Sequence, residues 1–165
     1  MSLENFHNKG SHNREKIYYL EASLSGLAKW LRFMGYQVEL EEDKITPEKI
    51  WKKQDRIFLV TSAQTAKQLE KFNLSYLLLP RGPLKAQIFF VIHKLGLEPK
   101  LTLDLCSLCG KKLIPVKKEE FRGRIPLKVW KRYNEFNYCA NCDKLYWEGD
   151  HIKGIRKKFQ TLLKG

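Results

Sequence analysis

All four cysteines of the chain fall into two Cys-x-x-Cys pairs, Cys106-Ser-Leu-Cys109 and Cys139-Ala-Asn-Cys142. Two intervening residues let both sulfurs of a pair reach one ion at about 2.3 Å, and a second pair completes a tetrahedron. Zinc suits four thiolates and brings no redox chemistry of its own. Four sulfurs saturate the ion, so its expected role is to hold the fold rather than to catalyse. Two disulfides, or two redox-active pairs, are the alternatives. The first conflicts with the lack of a secretory signal, and the second with positions that do not open a helix after a strand. The other residues with chemistry are acids, Glu21 and the run Glu41-Glu42-Asp43. Gathered carboxylates repel one another unless a cation lies among them, and hard oxygen ligands suit magnesium or manganese. Such an ion polarises a phosphodiester and makes a hydroxide nucleophile. Equally open is a plain reading, with Glu41 to Asp43 as a solvated loop and Glu21 as a charge at the positive end of a helix. Of the histidines, His7 and His12 lie in the polar start of the chain and His93 in an amphipathic stretch. His151 can contact RNA or make a stabilising hydrogen bond.

The elements that must position these groups alternate. Ile17–Leu20 reads as a short apolar strand ending at Glu21. Leu24, Leu27, Ala28, Leu31 and Met34 then recur at the spacing of one buried helical face. Ser23 or Ser25 can cap this helix, Gly35 can end it, and Lys29 and Arg32 fall between the apolar positions on more exposed faces. Gln37–Leu40 is a second strand, and Thr46-Pro47-Glu48 is a helix start with a capping threonine and a proline at the first helical position. Residues 56–61, RIFLVT, form a continuous apolar run of the kind found in central parallel strands. A helix over 63–72, a strand over 75–79 ending at Pro80-Arg81, and a helix over 84–95 closed by Gly96 complete the series. Four strand–helix repeats predict an α/β domain over 17–100, with a parallel sheet flanked by helices. The carboxyl ends of its strands would bring Glu21, Glu41, Asp43, Thr61-Ser62-Ala63 and Arg81 to one edge. From about 101 the rhythm gives way to cysteines, lysines and glycines, which predicts a domain boundary there, with a zinc-binding part and a basic C-terminal tail over 101–165. KKLIPVKK (111–118) would begin a hairpin, and the 29 residues between Cys109 and Cys139 require a hairpin or short helix to loop out. Residues 1–16 read as a flexible basic tail.

Composition narrows the function. The chain has 165 residues, 43% of them hydrophobic, with a net charge of +13. Residues 1–100 carry 16 basic and 11 acidic side chains, residues 101–165 carry 15 and 7, so the shorter part is the more basic. Such an excess favours a polyanionic partner, either nucleic acid or an anionic membrane surface, with a merely soluble basic protein as the plain alternative. No run approaches the roughly 20 apolar residues of a membrane span, and residues 1–16 lack the apolar core of a signal peptide. The expectation is a cytoplasmic protein with no membrane partner.

LEASLSGLAKWLRFMGY, LVTSAQTAKQL, CSLCGKKL and FNYCANCDKLYWEGDH occur in this order over residues 17 to 155. In these stretches the chain resembles the PIN-like ribonuclease family named after the C-terminal domain of the mutator-seven exonuclease, with its fused zinc ribbon. The resemblance implies a PIN-like α/β/α domain, a structural zinc ribbon, and metal-dependent cleavage of RNA by clustered acids, in processing or decay; a protein-interaction adaptor in a ribonucleoprotein assembly is a separate reading. It maps the catalytic acids onto Glu21, Glu41 and Asp43, with magnesium or manganese as the ion of an active enzyme. The family's Thr-Arg-Asp after the third strand reads Thr61-Ser62-Ala63 here, and two of the family's aspartates are glutamates. Losing one carboxylate from a hard-metal site weakens it sharply, and no replacement other than Glu48 suggests itself. The expectation is therefore an RNA-associated protein with weak or lost nuclease activity. Lys29, Arg32 and Arg81 would meet phosphates, and Trp147 would stack on a base or pack beside the zinc site.

Overall fold

The computed structural model describes residues 12–164, so residues 1–11 of the expected tail, His7 among them, lie outside the described residues. The chain divides into two compact units, Met1–Gly110 and Lys111–Gly165.

The first unit is built on four parallel strands, β1 (Ile17–Leu20), β2 (Gln37–Leu40), β3 (Ile57–Val60) and β4 (Tyr76–Leu78), in the order β2-β1-β3-β4. Register runs Tyr19↔Glu39 on one side of β1 and Tyr19↔Phe58 on the other. The helices are α1 (Ser25–Phe33), α2 (Pro47–Lys52), α3 (Ala63–Lys71) and α4 (Leu84–Leu95). All four residues of β3 are buried, as expected of a strand covered on both faces. Tyr19, Phe58 and Val60 pack with Ile50, Ala66 and Leu69 of α2 and α3. Leu24, Leu27, Ala28, Leu31 and Met34 are all buried, as their spacing requires. Their helix, however, is not capped by Ser23 or Ser25. A 3-10 turn over Ala22–Leu24 leads directly into α1 without a side-chain cap. Thr46 and Ser62 do cap α2 and α3, accepting from the amides of Lys49 and Thr65. The chain before β1 is not all tail. His12–Glu15 form a 3-10 turn, and the Arg14 guanidinium donates to Glu98 at 2.9 Å and to the Met34 carbonyl at 3.2 Å.

The second unit is an antiparallel sheet of β5 (Ile114–Val116), β6 (Phe136–Cys139) and β7 (Lys144–Tyr146), in the order β5-β6-β7. Between β5 and β6 lie a 3-10 turn over Lys118–Phe121 and the short helix α5 (Leu127–Arg132). The Lys118 ammonium closes α5 by donating to the carbonyls of Trp130 and Tyr133. The expected basic tail is instead a 14-residue helix, α6 (Asp150–Leu163). Its apolar residues Ile152, Ile155, Phe159, Leu162 and Leu163 recur at helical spacing, and Ile152 and Phe159 are buried. Basic residues at the intervening positions conceal that period in the sequence.

Candidate functional site

In the strand order β2-β1-β3-β4 the connections leave β1 toward one side and reach β3 on the other, so the switch point of the sheet lies between β1 and β3. Open α/β sheets bind ligands in the crevice outside the carboxyl ends of such a pair. Glu21 ends β1 there, half-buried, and its carboxylate accepts the backbone N–H of Thr61 at the end of β3. Glu21 lines two cavities. One, of about 630 Å³, runs past Ser23, Asp43, Lys44, Ser62, Gln64 and Gln68. The other, of about 250 Å³, includes Ser23, Thr61, Arg81 and Gln87.

Glu41 does not face this crevice as a bare carboxylate. One oxygen accepts the Lys49 ammonium at 2.8 Å and the Asp43 amide at 3.1 Å, and the other accepts the Tyr19 hydroxyl. Lys49 is fixed further by the Lys44 carbonyl at 3.0 Å. The Lys49 ammonium and the Tyr19 hydroxyl hold the Glu41 carboxyl down at about 2. Tyr19 is pushed well above the ordinary phenol value, first by burial and then by Glu41. A resident ammonium thus already neutralises the acid that a divalent ion would need. Lys49 and Tyr19 carry no motif, and only the helix start at Thr46-Pro47 hints that Lys49 points back toward β2. Glu39, next along β2, is closed in the same way. Burial works to raise it, but Lys53 and Arg56 together keep it below the ordinary value. Ser62 caps α3, and Ala63 opens that helix without a carboxylate. Glu48 pairs with Lys52 at 2.9 Å on an exposed surface. Among the described residues, Glu21, Glu41 and Asp43 do not form a group able to hold a metal ion together.

The cations expected to meet phosphate separate into two kinds. Lys29 is exposed, and Arg81 is exposed at the rim of the smaller cavity. Arg32 is not on an exposed face. It is 6% exposed, and its guanidinium donates to the Val38 carbonyl at 2.8 and 3.2 Å and to the carbonyls of Ser107 and Leu108 at 3.2 and 3.1 Å. Main-chain carbonyls from two other segments draw it inward, which no spacing along α1 could reveal. Arg32 therefore clasps the first cysteine turn rather than presenting charge to solvent. Gly110 closes that turn, its amide donating to the Cys106 carbonyl at 2.8 Å. Its φ is +79°, and a Cβ there would lie 3.1 Å from both Arg32 Nε and the Val38 oxygen, so a side chain would be strained and crowded. Trp147 is half-buried, its ring 5.9 Å from Phe136 and 6.0 Å from His151. A Cβ on Gly149 would lie 2.8 Å from the indole nitrogen.

The donor atoms of Cys106, Cys109, Cys139 and Cys142 all lie within 4.8 Å of one another, Cys106 and Cys139 buried. Tetrahedral bonds of about 2.3 Å separate sulfurs by about 3.8 Å. The cluster therefore fits a metal such as zinc. It is the only group of its kind among the described residues. A family model described as the Mut7-C RNAse domain matches residues 16–159.

The chain belongs to the Mut7-C RNAse domain family.

Comparison with curated proteins and with solved structures gives no match. The Mut7-C match spans both the parallel sheet and the four cysteines. No helix of the Mut7-C chain, among the described residues, is long and apolar enough to cross a membrane.

Proposed function

We propose that this Mut7-C chain binds RNA and has lost, or nearly lost, the power to cut it. The observation that carries this reading is the state of Glu41. The acid that the family's chemistry would place at the metal is held by Lys49, Tyr19 and the Asp43 amide. Ala63 adds nothing in its place. What the crevice keeps is its shape, and its cations stand among the carboxylates of Glu21, Glu42 and Asp43. Arg81 and Lys44 line it, Lys29 stands on the adjoining helix, and the net charge is +13. Zinc at Cys106, Cys109, Cys139 and Cys142 is structural in this reading. The protein works in the cytoplasm, with other proteins of a ribonucleoprotein assembly as secondary partners.

Because phosphate contacts release counterions, affinity for RNA falls linearly on a log–log plot against salt. The test is binding of the zinc-loaded protein to labelled RNA over a salt series, with mild EDTA that strips hard cations and leaves the thiolate site intact. Salt-sensitive binding that survives EDTA, without product on adding manganese, is the expected result. Affinity that stays flat as salt rises overturns it. A second reading rests on Glu21 and Asp43 lining one cavity. In that reading they bind magnesium or manganese and cut RNA, and Glu21→Gln abolishes cleavage.

A further inference from the structure

The positive charge of the chain is unevenly shared. Residues 1–110 carry 16 basic and 12 acidic side chains, a net of +4, whereas residues 111–165 carry 15 and 6, a net of +9. At the sheet edge, Arg81 and Lys44 share their cavities with Glu21, Glu42 and Asp43. Two helices of the second unit are different. Residues 127–132 of α5 and 150–164 of α6 and its end hold eight cations against one acid, Asp150. The Asp150 carboxylate lies 4.0 Å from the Arg132 guanidinium of α5 and 3.9 Å from the Lys153 ammonium of α6, so the two helices meet at this residue. Both contacts are long and exposed, and pairs of that kind contribute little. Glu148 draws Arg156 aside at 2.9 Å. Among the described residues, Lys128 and Lys131 of α5 and Lys157, Lys158 and Lys164 of α6 and its end are exposed and have no carboxylate partner.

The helix α6 sorts its residues by face. Ile152 and Phe159 of its apolar stripe are buried, and Lys153, Lys157 and Lys164 recur on the opposite side at intervals of four and seven residues, all exposed. The row rises about 16 Å, and past Asp150 in the first turn no acid interrupts it. Ammonium groups set along a line neutralise successive phosphates and release their counterions. They are point charges without the planar fork that reads a base edge. An anionic bilayer also offers phosphates, but a helix that lies in a membrane surface buries its apolar face there, and the stripe of α6 is turned inward. We propose that the outward row of α6, with Arg132 of α5 beside it, is the surface that holds the phosphate backbone of RNA. Affinity and its salt dependence then reside in the second unit rather than at the sheet edge, and binding is tolerant of base sequence. This rests on the RNA-binding reading above and adds to it the surface that makes the contact.

The experiment uses the full zinc-loaded chain and a labelled single-stranded RNA of mixed sequence over a salt series. A triple variant, Lys153→Gln with Lys157→Gln and Lys164→Gln, changes exposed side chains, and its circular dichroism and zinc content should match wild type. Three lost phosphate contacts should flatten the slope of log affinity against log salt by about 2, a loss of roughly 100-fold near 0.1 M salt. Arginine at the same three positions keeps the charge and should bind as wild type does. A second triple variant, Lys67→Gln with Lys71→Gln and Lys85→Gln, removes the same charge from exposed positions of the first unit and should leave the slope nearly unchanged. If the α6 glutamine variant keeps the wild-type slope, the row is not the surface, while the RNA-binding reading stands. Equal flattening by both glutamine variants would show that net charge alone governs binding, and an arginine variant as weak as the glutamine one would show that charge does not; either result overturns the proposal. If wild type binds no RNA at any salt, the broader reading fails and this one with it, and adsorption to phosphatidylserine vesicles in that case would assign the row to a membrane.

Discussion

At the carboxyl edge of the sheet a lysine already pairs with the nearest acid after β2. Glu41 accepts from Lys49, Tyr19 and the Asp43 amide, and the result is a carboxyl held at about 2 against 4.5 for a free glutamate. A depressed folded-state value means that the unfolded chain binds the proton first, so Glu41 stabilises fully above about 4.5. That contribution drains away as pH falls through about 2. Urea unfolding of wild-type and Glu41→Gln should therefore differ by about 1–3 kcal/mol at neutral pH, with the gap closing between these two values. A gap that is constant with pH would show that Glu41 acts by packing alone. Arg32 makes a second prediction. Lysine keeps its charge but lacks the planar fork, so Arg32→Lys should lose roughly 2–3 kcal/mol as carbonyls of Val38, Ser107 and Leu108 go unpaired. The slope of RNA affinity against salt should stay unchanged, because the guanidinium is buried. Neither role was legible along the chain. The partners of Arg32 are main-chain oxygens up to 76 residues away, and those of Glu41 carry no pattern at all.

The strands and helices of the first unit were legible because each carries its own signal. The continuous apolar run of β3, the Thr46-Pro47 start of α2 and the Ser62 cap of α3 are local facts, and they place Glu21 and Thr61 at the switch point. Local signals failed where tertiary packing decided. The start of α1 relies on a 3-10 turn instead of a serine cap, and α6 hides its apolar stripe among lysines. The start of α3 gives a test. Aspartate at position 63 would sit in the first turn, where a negative charge stabilises by about 0.3–1 kcal/mol. Ala63→Asp should therefore raise the melting temperature slightly. It should not restore manganese-dependent cleavage, since Glu41 stays bound to Lys49. Cleavage by the single variant would mean that the missing acid alone had silenced the site.

At the scale of the molecule the two units differ in how they are held. The first buries a sheet between two layers of helices. In the second, the buried apolar side chains among the described residues are Leu113, Ile125, Phe136, Cys139, Ile152 and Phe159. So thin a core in 55 residues needs support, and metal held by its Cys139 and Cys142 can contribute it. Mass spectrometry of the native protein should find one zinc per chain. Chelation under reducing conditions, or Cys139→Ser, should abolish slow amide exchange in β6, while β1 and β3 remain protected. Protection of β6 without metal would show that the second unit is self-sufficient. The cluster itself was plain from cysteine spacing, whereas the Arg32 clasp beneath its first turn was not. That clasp has a kinetic consequence. Because Arg32 grips Ser107 and Leu108 through their carbonyls, the Cys106–Cys109 turn keeps its shape before any ion arrives. Incoming metal would meet in Cys106 and Cys109 a pair already shaped for it. Arg32, never a ligand, would then govern how fast the ion loads and how readily a competing chelator removes it.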